Sequence, residues 1–438
     1  MGKKWDKIIN LWEKKKWKGG LTFITPQLPN GMKDILPEEA KIYRYIEGKL
    51  REKFELWGYK EVIPSTIEFA DVLSIGAGSK LIDNMFKFQD LDGKILALRA
   101  EATIPTARIL TSELRLAYKP IRLYYIVNVF RRAIDKPGGF REFWQAGIEL
   151  IGRKDAEADA EVLMLLTEAL DSLGLTNFRI DVSHATILKE VVKELNLNSR
   201  EKEEFFEIAG YKDYSRFERF LENKNCPLKL ALILKKLFKC FKVSEVKNIL
   251  KETENYQNIK NALINLLEVN EKLESIGLKE LFFDFALTRG IEYYSGVIFE
   301  VSLPTLGFPI AGGGRYDELL KKFGEDLPAT GFAIDVTECL KIIKNQSRIN
   351  NYRKTIILKA SYSKFSNEFA SKLRRNKIIV VWEPVKTIEE AKKIAESYKA
   401  NNIVDLINDY ALVINVKTGE KKRLSIDEAL KNIVEEEA

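Results

Sequence analysis

From about Glu38 to Trp57 the apolar positions recur at helical spacing, and Gly58 closes the run, which predicts an amphipathic helix. From Tyr59 to Gly152 short apolar, β-like runs alternate with turns, and Asp155 to Ser172 returns to the helical period. Between His184 and about Leu281 nearly every segment is helical and charged, with little strand propensity; this block, 184–280, reads as an all-α insertion. Strand patterns resume at Leu281–Phe285 and Gly296–Leu303. A polar stretch, Lys344 to Arg353, predicts a linker, and behind it strand and helix patterns alternate. The predicted order is strand 355–359, helix 363–374, strand 378–382, helix 388–398, strands 403–407 and 411–416, and helix 425–434. That is the signature of a small α/β domain over 354–438. The expected core is 30–183 together with 281–343, so the chain is read as α+β with an insertion and a C-terminal domain. Neither an internal repeat nor a low-complexity segment interrupts this order.

Composition narrows the chemistry. At 438 residues the chain exceeds one typical domain, and 45% hydrophobic residues are enough for sizeable cores. The net charge of +7 permits nucleic-acid contact without demanding it, being small beside 71 basic residues. Residues 1–20 are Lys- and Trp-rich, with Trp5, Ile8, Ile9 and Trp12 at helical spacing before Gly19-Gly20. They read as a basic amphipathic extension docked on protein, with a nucleic-acid or lipid-surface arm as the alternative. His184 is the entire imidazole supply, and Cys226, Cys240 and Cys339 show no C-x-x-C spacing. No metal site and no His-dependent triad is expected, His184 reads as structural, and a reducing cytoplasm fits the thiols. No apolar run reaches membrane-spanning length, and no signal-peptide pattern opens the chain.

Five ordered runs then carry a family resemblance. They are Gly31-Met32-Lys33-Asp34 with Pro37; Trp57 to Pro64; Phe130-Arg131-Arg132 with Phe140 to Glu149; Thr288 to Gly296; and Ala311 to Asp317. In this order they resemble histidyl-tRNA synthetases: the opening segment, motif 1, motif 2, the histidine signature and the start of motif 3. Gly331 to Glu338 resembles the last part of motif 3. The resemblance implies a class II synthetase-like antiparallel sheet flanked by helices, and more loosely an anticodon-binding-like module at the C-terminus. Gly312-Gly313-Gly314 alone is a weak phosphate-cradle signal, and tight strand packing explains it as well. Arg131 and Arg141 stand at alternating strand positions relative to Gln145 and Glu149, which favours a pocket over a cationic surface.

By that resemblance Glu101, Thr103 and Gln145 would face a substrate amine, and Arg131 would sit near its carboxylate. Glu149 and Tyr294 would hold the imidazole nitrogens, with Tyr293 alongside, and Arg289 would assist at the carboxylate. The chemistry is coherent, because a zwitterion with an imidazole needs an anion, a cation and an acceptor for a ring N–H. The nucleotide side departs from the family. Ala133 stands where the adenine-binding Glu is expected, Gly139 where another Arg is usual, and Glu338 where an Arg holds the ATP phosphates. Three nucleotide contacts are absent while the amino-acid pocket is kept.

That combination resembles the regulatory subunits of ATP phosphoribosyltransferase, non-catalytic relatives of the synthetase that act in the first step of histidine biosynthesis. Many of them lack a C-terminal domain, which this chain appends. The resemblance implies no cofactor, a short-form catalytic subunit as partner, a homodimer through the motif 1 region, and histidine as ligand, with feedback on the catalytic subunit. An authentic histidyl-tRNA synthetase and a synthetase-derived tRNA-binding paralogue are the alternatives.

Overall fold

Two ten-residue stretches dominated by β-branched and aromatic residues, Ile121–Phe130 (β5) and Glu142–Ile151 (β6), form one long antiparallel ladder. In the computed structural model, which describes residues 27–132, 139–278, 281–288, 293–344 and 354–435, this ladder lies within an eight-stranded sheet. The other strands are β1 (Lys60–Glu61), β7 (Arg179–His184), β8 (Phe282–Phe283), β9 (Val297–Ser302), β10 (Ala311–Arg315) and β11 (Ala329–Asp335). The order is β1-β5-β6-β11-β10-β9-β7-β8; the outermost pairs are parallel and the rest antiparallel. A smaller sheet, β2 (Ile67–Phe69), β4 (Ile95–Leu98) and β3 (Lys87–Gln89), precedes it in the chain.

Strand alternation gives the large sheet two different faces. Ile148 and Phe332 point to one, where Phe332 meets Phe54 of the helix Pro37–Leu56. The helix Ala156–Ser172 packs on β11, capped by Asp155, whose carboxylate accepts from Ala158 N at 3.0 Å. The other face carries Glu149, Gly147 and Gln145 of β6 beside Gly331, Ala333 and Asp335 of β11 and Gly314 and Gly312 of β10. Its middle is paved with residues that have little or no side chain, which leaves the floor open between the acids at either end. The glycine run itself is plain strand: a Cβ at Gly313 would lie 2.1 Å from the Gly331 carbonyl oxygen, so close strand packing accounts for it.

The structure departs from the sequence reading between Tyr59 and Gly152. The region holds three helices, Ala70–Ser74, Ser79–Asp83 and Thr103–Ser112, where turns were expected, and two of its strands, β5 and β6, run for ten residues each. The helical block holds six helices, from Ala185–Glu194 to Gln257–Ser275. His184 caps the first, its Nδ1 accepting from Thr186 N at 3.3 Å, and burial with the nearby Arg315 charge lowers its pKa to about 4. The N-terminal extension, the 345–353 linker, Ala133 and Arg289 lie outside the described residues.

The second compact unit begins at Asn345. Its sheet runs β13 (Ile379–Glu383), β12 (Thr355–Lys359), β14 (Asn402–Ile407), β15 (Tyr410–Asn415), β16 (Lys421–Ser425), parallel over the first three and antiparallel after. The sequence pattern missed β16, a Lys- and Arg-rich strand with no apolar alternation to mark it.

Beneath the floor a buried cation holds three elements. Arg315 is 3.0 Å from Asp159 of the Ala156–Ser172 helix and 3.3 Å from Asp317, and it donates to the Arg153 carbonyl at 2.9 Å. Arg315→Met would leave Asp159 buried and uncompensated. We expect a loss of about 3–5 kcal/mol in denaturant unfolding. A change below about 1 kcal/mol would mean that the cation contributes no more than an exposed ion pair does.

Candidate amino-acid pocket

Glu149 occupies the middle of the sheet because its neighbour across the ladder is a glycine. A Cβ on Gly331 would lie 2.2 Å from Glu149 Oε2, so the carboxylate rests where any other residue would stand. Gly147 makes the same room for the Tyr125 hydroxyl, 2.5 Å from where a Cβ would be. Tyr316, directly after β10, donates its hydroxyl to Glu149 Oε2 in a short hydrogen bond. Its ring stacks on Tyr293 at 5.2 Å, and Tyr293 meets Tyr294 edge-on at 5.2 Å. Three tyrosines thus wall one side of the carboxylate.

Glu101 comes from the other side. It precedes the helix Thr103–Ser112 and accepts from Thr103 N at 2.7 Å and Ile104 N at 2.8 Å, so two otherwise unpaired helix N–H groups hold its charge. Thr103 is the first residue of that helix and stands near Glu149, Tyr125 and Tyr293. Burial is the main cause that raises the pKa of both acids. Glu149 is pushed up to about 8, with the Glu101 charge adding to burial and the Tyr316, Thr103 and Tyr125 hydroxyls opposing. Glu101 is raised less simply, since its backbone N–H partners and Arg131 hold it down. Two carboxylates held in a mostly buried aromatic setting make a receptor for a ligand that brings N–H groups and positive charge.

The structure therefore gathers Glu101, Thr103, Glu149, Tyr293 and Tyr294. Gln145 lies on the same sheet face, paired with Asp335. Arg131 follows β5, places its guanidinium 5.0 Å over the Phe143 ring, and donates to the Ala100 carbonyl at 3.0 Å. Tyr316 and Tyr125 were not singled out from the sequence. Tyr316 stood in a quoted run, and only the fold brings its hydroxyl to Glu149; Tyr125 was hidden in a continuous apolar stretch.

The nucleotide-side position is built differently. Glu338 sits in the first turn of the helix Val336–Lys344 and is buried. Its backbone N–H is capped by Asp335 at 3.1 Å, and its carboxylate pairs with Lys341 at 2.9 Å. Lys341 lies 5.3 Å over the Phe140 ring, next to Gly139. An acid locked to its own helix in this way offers a polyphosphate no cation. Among the described residues no three or more His, Cys, Asp or Glu groups are arranged for a metal, and no helix is long and apolar enough to cross a membrane.

This architecture is that of a class II synthetase-like protein. A family model described as Histidyl-tRNA synthetase matches residues 31–339. An ATP phosphoribosyltransferase regulatory subunit from Caldanaerobacter subterraneus is 41% identical over 324 residues, 73% of this chain and 84% of that protein. A histidine–tRNA ligase from Methanocaldococcus jannaschii is 34% identical over 417 residues, 92% of this chain and 98% of the ligase. A crystal structure from Bacillus halodurans, described as an ATP phosphoribosyltransferase regulatory subunit/histidyl-tRNA synthetase, superposes with a TM-score of 0.76. It is 29% identical and covers 88% of this chain and 99% of that one. The chain belongs to the histidyl-tRNA synthetase family, among its ATP phosphoribosyltransferase regulatory subunits.

The raised pKa of Glu149 sets a pH dependence. A folded-state pKa near 8 against an ordinary value of 4.5 means that the folded chain holds a proton that the unfolded chain releases. The stabilisation is complete below about 4.5 and is lost as pH rises through about 8. We expect Glu149→Gln to flatten the decline in unfolding midpoint between pH 5 and pH 8 relative to the native chain. Parallel profiles for the two proteins would contradict a protonated Glu149.

Proposed function

We propose that this chain is the regulatory subunit of an ATP phosphoribosyltransferase, non-catalytic alone, which activates a short-form catalytic subunit and mediates feedback by histidine. The observation that carries the reading is the contrast between the sheet face around Glu149 and the helix that follows β11. The amino-acid side keeps Glu101, Thr103 and Glu149 with their tyrosine wall, while the phosphate side presents the Glu338–Lys341 pair. In the proposed pocket the imidazole N–H meets Glu149, the amine meets Glu101 and Thr103, and Gln145, Arg131, Arg289, Tyr293 and Tyr294 complete the contacts. Histidine would favour one conformation of the assembly over another, which is allostery in the strict sense.

The subunit would act as a homodimer through the motif 1 region. Ile63 is exposed there, and Ile67, Phe69, Phe88 and Ile95 are exposed on the small sheet that follows it, which supports a covered surface. An interface of about 1,200–2,000 Å² would survive gel filtration. The setting proposed is the cytoplasm, where Cys226, Cys240 and Cys339 stay as free thiols. A second reading, an amino-acid-activating synthetase, is favoured by the likeness to the archaeal ligase.

One assay separates the two. Removing a single preorganised contact to a developing charge costs roughly 3–4 kcal/mol, so three absent contacts should abolish adenylation. We expect histidine-dependent ATP–pyrophosphate exchange at the level of a blank. Mixed with a cognate short-form catalytic subunit, the chain should raise phosphoribosyl transfer to ATP, histidine should lower that rate, and Glu149→Ala should blunt the inhibition. Exchange well above blank would establish the synthetase; separate elution with an unchanged rate on mixing would overturn the regulatory reading.

A further inference from the structure

The helical block Ala185–Ser275 does more than pack on the core. It touches Phe283, Asp284 and Thr288, and also Tyr294. Lys212 Nζ is 2.6 Å from Asp284 Oδ2, and Phe283 N donates to the Phe241 carbonyl at 3.2 Å. Lys189 Nζ donates to the Tyr294 carbonyl at 2.6 Å. Gly210, the last residue of the helix Ser199–Gly210, faces Thr288 so closely that a Cβ there would lie 2.5 Å from Thr288 Oγ1.

The charges make these contacts directional. Asp284 and Asp181 are both buried; Lys212 pairs with Asp284, and Arg179, at 2.9 Å, with Asp181. Asp284 also accepts from Ala286 N at 3.1 Å, which shapes the turn that delivers Thr288. Lys212 therefore neutralises a carboxylate that folds the approach to the tyrosine wall, and Lys189 holds the main chain of that wall. Neither lysine lies in the pocket, so neither is required by the chemistry of the ligand itself.

We propose that Lys189, Gly210 and Lys212 are positioning residues that seat the tyrosine wall, so that the helical insertion is set by, and responds to, occupancy of the amino-acid pocket. This rests on the reading of the pocket as a histidine site. Coupling between a site and a distant element in proteins runs in both directions, so a residue that displaces the wall must weaken the ligand, and the ligand must quieten the element.

The test is calorimetric titration of L-histidine into the full chain, with thermal unfolding and hydrogen exchange alongside. Gly210→Ala favours the helix it ends, yet forces the Thr288 hydroxyl aside. We expect an unchanged or higher melting temperature together with roughly five- to fiftyfold weaker histidine binding. Lys212→Met should weaken binding over a similar range, and Lys212→Arg should restore it to within about threefold. In the native chain, histidine should slow amide exchange across residues 199–223. If the native chain binds histidine, while both variants bind as tightly and exchange at 199–223 is unchanged, the positioning role is wrong and the pocket reading stands. If the native chain binds no histidine, both fall.

Discussion

A carboxylate on the central strands of a buried sheet is the constraint around which this protein is arranged. Glu149 is sealed from solvent, and its desolvation would be prohibitive without neighbours made for it. Gly331 vacates the space beside it, Tyr316 donates to it, and Thr103 and Tyr125 bring two further hydroxyls. The helix Thr103–Ser112 starts where it does because Glu101 holds its first N–H groups, and that start places Thr103 against Glu149. Neither acid could be moved without rebuilding a strand, a helix terminus and a tyrosine stack.

The helix that follows β11 is built differently. Glu149 accepts from a tyrosine hydroxyl, whereas Glu338 pairs with a cation, Lys341, and Lys341 is itself laid over Phe140. Burial of a paired charge gives little net stability, yet it is expensive to break. A polyphosphate approaching this end would meet a neutral pair and the Asp335 carboxylate. In the proposed function, asymmetry of this kind separates recognition of an amino acid from its activation.

Much of this was legible in the sequence where the signal is local. The helix from Pro37, the all-helical block and the α/β tail follow from hydrophobic period and turn residues. The pocket acids stood in short contiguous runs, so Glu101, Thr103 and Glu149 could be named together before any fold was known. What remained hidden is what depends on register. Opposition of Gly331 to Glu149 is a fact of pairing between strands nearly two hundred positions apart in the chain, and no spacing within either strand reveals it. The helix at Thr103 was concealed by β-branched residues and Pro105, tolerable in a first turn but suggestive of a break. Glu338 read as a missing cation; that it is buried and tied to the residue one turn on came only from the folded helix.

In the proposed function one half of a two-substrate site is kept and the other is closed. The most direct measurement is equilibrium dialysis of the purified chain with labelled histidine and, separately, labelled ATP, each repeated in the presence of the other ligand. We expect saturable histidine binding at one site per chain, no saturable ATP binding, and no effect of ATP on histidine. Saturable ATP binding that tightens when histidine is added would contradict the proposed function.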